Sequence, residues 1–125
     1  MTVALDANAL MAPVEADLRL FEELERVADD EDPVVPRAVR AELERLADGS
    51  GEAGTAAAVG LDLASGLPTV DHEEQYADDA LVELALTGEA DAVVTNDGPL
   101  KERLLDAGVP VIHLRGRNQL QRSTP

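Results

Sequence analysis

Acidic side chains recur in this sequence where strands end and helices begin. Asp6 follows the apolar run 2–5, and Asp97 follows the apolar run 92–95 within Thr95-Asn96-Asp97-Gly98-Pro99. Glu42 lies in a segment where Val39, Leu43 and Leu46 stand at i, i+4 and i+7. At i+3 it shares their stripe, while Arg40, Glu44 and Arg45 point elsewhere. Asp78 and Asp79 open a further helical segment. Helical angles set Asp78 nearer Leu81 and Ala85, and Asp79 at the edge beside Leu86. A carboxylate on a buried face is costly unless it is paired or holds a metal. Several in one cleft raise each other's pKa and weaken the fold unless a cation neutralises them. Oxygen-only donors select hard cations, so Mg²⁺ or Mn²⁺ is expected. An ion held this way polarises a phosphodiester and activates an attacking water.

Each of these residues also has an ordinary structural role open to it. Glu42 at the stripe edge can pair with a nearby Arg. Asp78 and Asp79 can complement the dipole of the helix they open. Asp97 can cap a helix with Pro99 in its first turn, and Asn8 can hold a turn. His72 and His113 are expected as structural or surface residues rather than metal ligands. What separates the readings is convergence, because the structural roles do not require these acids to meet at one place.

The elements predicted to position them alternate. Strands are expected over 2–5, 34–35, 69–70, 92–95 and 109–114, and helices over 17–28, 36–47, 52–64, 77–86 and 99–107. An acidic turn over 29–32 is closed by Pro33. This order predicts an α/β fold with a central parallel sheet of about five strands, covered by helices on both faces in three layers. Chemistry in such sheets gathers beyond the C-terminal strand ends, where the strand order reverses. The domain is read as residues 1–115, followed by a polar, partly basic tail over 116–125.

Bulk composition narrows the setting. The chain has 125 residues, enough for one core, and 45% of them are hydrophobic. With no cysteine there is no disulfide or thiolate metal site, and a reducing cytoplasm is expected. No signal-like start and no membrane-length apolar run is present. Aromatic residues make up 2%, so Phe21 and Tyr76 offer little platform for stacking bases. The formal charge is −16, from 26 acids against 10 bases. Such a surface repels polyanions in dilute buffer, but it also suits a cytosol of high salt, and the halophilic reading is preferred. That reading predicts a fold that loosens as salt falls below roughly 1 M, which a melting series in salt checks.

The blocks themselves resemble a known family. Val3-Ala4-Leu5-Asp6-Ala7-Asn8-Ala9-Leu10, Val34-Val35-Pro36-Arg37-Ala38-Val39-Arg40-Ala41-Glu42-Leu43, Ala77-Asp78-Asp79-Ala80-Leu81 and Val93-Val94-Thr95-Asn96-Asp97 are similar, in this order, to the four acidic blocks of PIN-domain ribonucleases. Tyr76-Ala77-Asp78-Asp79 and 108–115 narrow the similarity to small stand-alone archaeal PIN proteins related to the endonuclease of small-subunit rRNA processing. The resemblance implies Asp6, Glu42, Asp79 and Asp97 as the catalytic, metal-binding quartet. Asp78 stands behind Asp79 as a further ligand or supporting group, and the helix-stripe argument ranks that pair the other way. Asn8 and Thr95 would orient ligands or water from behind the carboxylates. Arg37, Arg40, Arg115 and Arg117, with Arg122, are the candidate contacts to RNA phosphates.

The implied function is metal-dependent endoribonuclease action on structured rRNA precursors, in a chain that pairs with itself or with a ribosome-assembly partner. A sibling reading is the toxin of a toxin–antitoxin pair. Two others are a non-cleaving RNA-binding assembly factor and a phosphoacceptor signalling domain. The last would use Asp71 and Thr95 at strand ends, but the Lys it needs after the fifth strand is absent, since His113-Leu114-Arg115 stands there.

Overall fold

The structure is a computed structural model that describes residues 1–28 and 30–125. Asp29, in the expected acidic turn, lies outside the described residues, and Asp32 already belongs to a strand. The elements run β1 (Thr2–Leu5), α1 (Ala7–Glu15), α2 (Leu20–Val27), β2 (Asp32–Pro36), α3 (Arg37–Ala47), α4 (Gly51–Ser65), β3 (Thr69–Val70), α5 (Ala77–Leu86), β4 (Ala92–Val94), α6 (Gly98–Asp106), β5 (Val111–Arg115) and β6 (Gln119–Ser123).

These strands form one six-stranded sheet in the order β3-β2-β1-β4-β5-β6. All neighbours are parallel except β5 and β6. Successive residues of β1 and β4 point to opposite faces, yet Val3, Ala4, Leu5, Ala92, Val93 and Val94 are all buried. Only a sheet covered on both faces allows that. The order reverses between β1 and β4, so the crevice beyond their C-terminal ends is the place the topology offers to a ligand.

Two segments differ from the sequence expectation. Residues 7–15 carry no predicted element, yet they form α1. Buried Ala7, Ala9, Leu10, Met11 and Ala12 leave this helix with no polar stripe to show a period, and Pro13 inside it argues against a helix. It forms because it packs on α4. A Cβ on Gly60 would lie 3.1 Å from the carbonyl oxygen of Leu10, so the two backbones approach closely only through that glycine. The second segment is the polar tail, which contains β6 rather than irregular chain. Its alternation is hidden because only Leu120 is buried among polar neighbours.

The backbone groups of Leu120 in β6 are engaged by α2. Glu23 on α2 accepts the Leu120 N–H at 2.8 Å, Arg26 donates to the Leu120 carbonyl at 2.6 Å, and the two side chains pair with each other at 2.8 Å. On the other flank, Pro36 precedes α3 and makes no side-chain cap. The free Ala38 N–H donates instead to His72 Nε2 at 3.0 Å. An N–H can only donate, so that ring nitrogen is unprotonated, and Nδ1 gives its hydrogen to the Glu74 carbonyl at 2.8 Å. Arg37 reaches Asp71 at 2.7 Å and the His72 carbonyl at 3.1 Å. These bonds fix the start of α3 to the loop after β3, and thereby the position from which Glu42 is presented.

Candidate active site

Asp6 is the first residue past β1. It is 4% exposed, and its carboxylate is held by the first turn of α1 and by the residue just past β4. Its Oδ1 accepts the Ala7 N–H at 2.8 Å, which also caps α1. Its Oδ2 accepts from the Thr95 hydroxyl at 2.6 Å and from Asn8 Nδ2 at 3.1 Å. Thr95, fully buried beyond β4, turns its oxygen to accept from the Asp97 N–H at 3.1 Å as well. The Asn8 carbonyl oxygen takes the Asn96 N–H at 2.9 Å, and Asn96 takes the Leu114 N–H at 2.8 Å. One polar network thus ties together the ends of β1, β4 and β5. Asn96 is a member the sequence reading passes over. Its position between Thr95 and Asp97, just past a strand, is the signal that marks it.

Asp97 does two things at once. Its Oδ1 caps α6 by accepting the Leu100 N–H at 2.9 Å, while no hydrogen bond to Oδ2 is made among the described residues. The capping role considered above is real and leaves one oxygen over.

Electrostatics link the remaining acids. Burial pushes the Asp6 carboxyl up to about 6, against hydrogen bonds from Thr95 and Ala7 that pull it down, and the charges of Asp78 and Glu42 push it further. Burial also raises Glu42, with Asp78 adding repulsion and Arg45 relieving part of it. Asp78 is raised by partial desolvation first, then by Asp97 and Asp79, and is eased by Arg103. Asp6, Glu42 and Asp78 therefore act on one another, and Asp97 joins them through Asp78. Asp79 differs: its Oδ1 is 2.7 Å from Arg103 Nη1. A cleft of about 400 Å³ opens beside Glu42, Asp78 and Asp79, with Arg45, Tyr76 and Arg103 completing its lining. Sequence alone gives Arg45, Tyr76 and Arg103 no place in the site, because only the packing of α3, α5 and α6 brings them to one opening.

Among the described residues no three His, Cys, Asp or Glu groups stand close enough to close directly on one ion. The donor set nevertheless suits a hard cation that keeps part of its water shell, since it is all oxygen, under mutual repulsion and mostly without a guanidinium partner. None of the candidate RNA contacts lines this opening. Arg37 is bound to Asp71 and the His72 carbonyl, and Arg40 spans Thr69 Oγ1 at 2.9 Å and the Ala64 carbonyl at 2.8 Å. Arg115 and Arg117 are exposed at the β5–β6 turn. His113 bonds Ser123 at 2.7 Å across that hairpin. Leu46, placed on the buried stripe by its spacing, is 38% exposed, because α3 buries Ala38, Val39 and Leu43 and turns its last turn outward.

A switch-point crevice lined with acids on a mostly parallel sheet is the layout of an α/β hydrolytic or phosphoryl-transfer site. Comparison with known proteins gives the family. A family model described as a PIN-like domain matches residues 3–117, and the chain belongs to that family. The chain is 29% identical over 120 residues to ribonuclease VapC4 of Methanocaldococcus jannaschii, spanning 93% of this chain and 92% of that one. The solved PIN domain endonuclease Utp24 superposes with a TM-score of 0.77 at 25% identity, covering 98% of this chain and 92% of its own. VapBC2 of Rickettsia felis, solved on a DNA fragment from its promoter, shares the fold with a TM-score of 0.64 at 16% identity, over 90% of this chain and 98% of that one. No helix among the described residues is long and apolar enough to cross a membrane.

Proposed function

We propose that this chain is a metal-dependent endoribonuclease that hydrolyses phosphodiester bonds of structured RNA. The observation that carries the reading is the contrast within its acids. Asp6, Glu42 and Asp78 are driven toward their neutral forms by burial and by one another, at the strand-order reversal, with no guanidinium bound to them. A fold gains nothing from that repulsion unless a cation relieves it. The residues that would hold Mg²⁺ or Mn²⁺ are Asp6, Glu42, Asp78 and Asp97, with Asp79 at the rim. Once bound, such an ion lowers the pKa of an attacking water and stabilises the leaving oxygen. Thr95 and Asn8 keep Asp6 Oδ2 in one orientation. Thr95 also holds the Asp97 amide, so ligands from two strands move as one unit.

Family membership and the similarity to ribonuclease VapC4 support RNA as the substrate. Precursor rRNA in a salt-rich archaeal cytoplasm is the preferred target. It rests on the sequence blocks and on the near full-length match to the endonuclease Utp24. A second reading, a toxin-type ribonuclease restrained by an antitoxin, draws on the full-length identity to VapC4.

The test is cleavage of end-labelled structured RNA by the purified chain with Mn²⁺, with Mg²⁺ and with EDTA, beside Asp6→Asn. Cutting is expected only with a divalent ion and only by the wild type. Undiminished cutting by Asp6→Asn in Mn²⁺ removes the mechanism. Preference for small-subunit precursor RNA over tRNA and mRNA separates the two biological roles.

A further inference from the structure

Of the acids around the cleft, Asp79 alone is ion-paired to a guanidinium among the described residues. Its partner Arg103 comes from α6, the helix that Asp97 caps, so the cation reaches the opening from the same element as one of the acids. Arg103 lines this cleft and also the neighbouring one of about 490 Å³ formed with Glu74, Val82, Glu83, Leu86 and Thr87. Its side chain is 51% exposed and that of Asp79 33%, so the pair stands at the rim with room on either side. The guanidinium also acts on Asp78, whose charge it favours.

We infer that Arg103 is a positioning residue that competes with the divalent ion for Asp79: it holds Asp79 at the rim while the cleft is metal-free and gives it up when an ion binds. The inference rests on the metal reading above. A divalent ion carries twice the charge of a guanidinium into a group of repelling carboxylates, so it has the stronger claim on Asp79. Once the ion neutralises Asp78 and Asp6, Arg103 no longer has a field to answer, and only an exposed contact that is readily given up holds it to Asp79. The neighbouring cleft gives the displaced side chain a place to go. Arg103 thereby sets how tightly the site takes its ion.

Titration calorimetry of Mn²⁺ into wild type, Arg103→Gln, Asp79→Asn and the double variant tests this. Arg103→Gln is expected to tighten Mn²⁺ binding about two- to five-fold, the size an exposed ion pair carries. In the Asp79→Asn background the gain is expected to vanish. Arg103→Lys keeps the charge and is expected to stay close to wild type, which preserves the test if the neutral variant folds poorly. Melting curves add a readout that a merely structural arginine would not move: the variant melts lower than wild type in EDTA and no lower in saturating Mn²⁺. Mn²⁺ binding by Arg103→Gln no tighter than wild type, or an equal gain in both Asp79 backgrounds, overturns the inference and leaves the metal reading standing. Failure of wild type to bind Mn²⁺ at all overturns the metal reading, and this inference with it.

Discussion

The two flanks of β1 treat negative charge in opposite ways. Beside β2 and β3, Asp71 is held below the usual carboxylate range by the Arg37 hydrogen bond and by the His72 N–H. Glu83 is likewise lowered by the backbone N–H groups of Glu73 and Glu74. Beyond β1 and β4, within the same small domain, Asp6, Glu42 and Asp78 are raised. The chain therefore has the means to satisfy acids, yet it leaves Asp6, Glu42 and Asp78 without a guanidinium partner among the described residues. Asp71 ties the loop after β3 to α3 and Glu83 ties it to α5, while Asp6, Glu42 and Asp78 are left in need of a cation.

Exchanging charge for amide on the two flanks breaks or sharpens that contrast. The largest effect is expected on cleavage. Asp78→Asn should lower the Mn²⁺-dependent rate on the order of 100-fold, and Asp79→Asn by roughly 10-fold, because Asp79 shares its charge with Arg103. Equal losses in single-turnover assays would erase the distinction drawn between these neighbours.

Next comes pH. Below about 4 Asp6 is protonated in both the folded and unfolded states and contributes nothing. Between there and about 6 the unfolded chain releases its proton and the folded chain keeps it, so stability falls as pH rises and levels off above 6. The span is worth up to about 3 kcal/mol. Urea unfolding in EDTA should show Asp6→Asn gaining on wild type by up to that amount between pH 4 and 7, and losing the gain when Mn²⁺ is added. A pH-independent gap would mean the carboxylate is already relieved.

Thr95→Val follows, with a loss of about 1–3 kcal/mol, since Asp6 and the Asp97 N–H each lose a buried partner. Chemical denaturation measures it. Smallest is Arg37→Gln on the satisfied flank, where a slight drop in melting temperature and an unchanged cleavage rate are expected. A large loss of RNA binding in that variant would return Arg37 to the substrate path.

The residues explain how far the sequence could be read. α5 was predicted over 77–86, and the structure has Ala77–Leu86, because an acidic first turn and an apolar stripe announce it. α1 stayed hidden because a helix buried nearly all round has no period, and β6 because one buried Leu among polar residues makes no pattern. The strand-end rule points to Asp6 and Asp97, the apolar stripe of α3 singles out Glu42, and the family resemblance ranks Asp79 ahead of Asp78. Side-chain pairing lay beyond these signals. Whether Arg103 meets Asp79, or His72 meets the Ala38 N–H, depends on how α6 and the loop after β3 pack across the sheet, which local spacing does not encode.

The occupied margin of β6 has a consequence of its own. An open strand invites a second copy to add its own strand, the route by which sheets grow into fibrils. Here the N–H and C=O of Leu120, which a newcomer would have to engage, already belong to Glu23 and Arg26. At the opposite margin β3 offers only two residues. A strand added at β6 would have to displace Glu23 and Arg26 from Leu120, and one added at β3 would find only two residues to pair with.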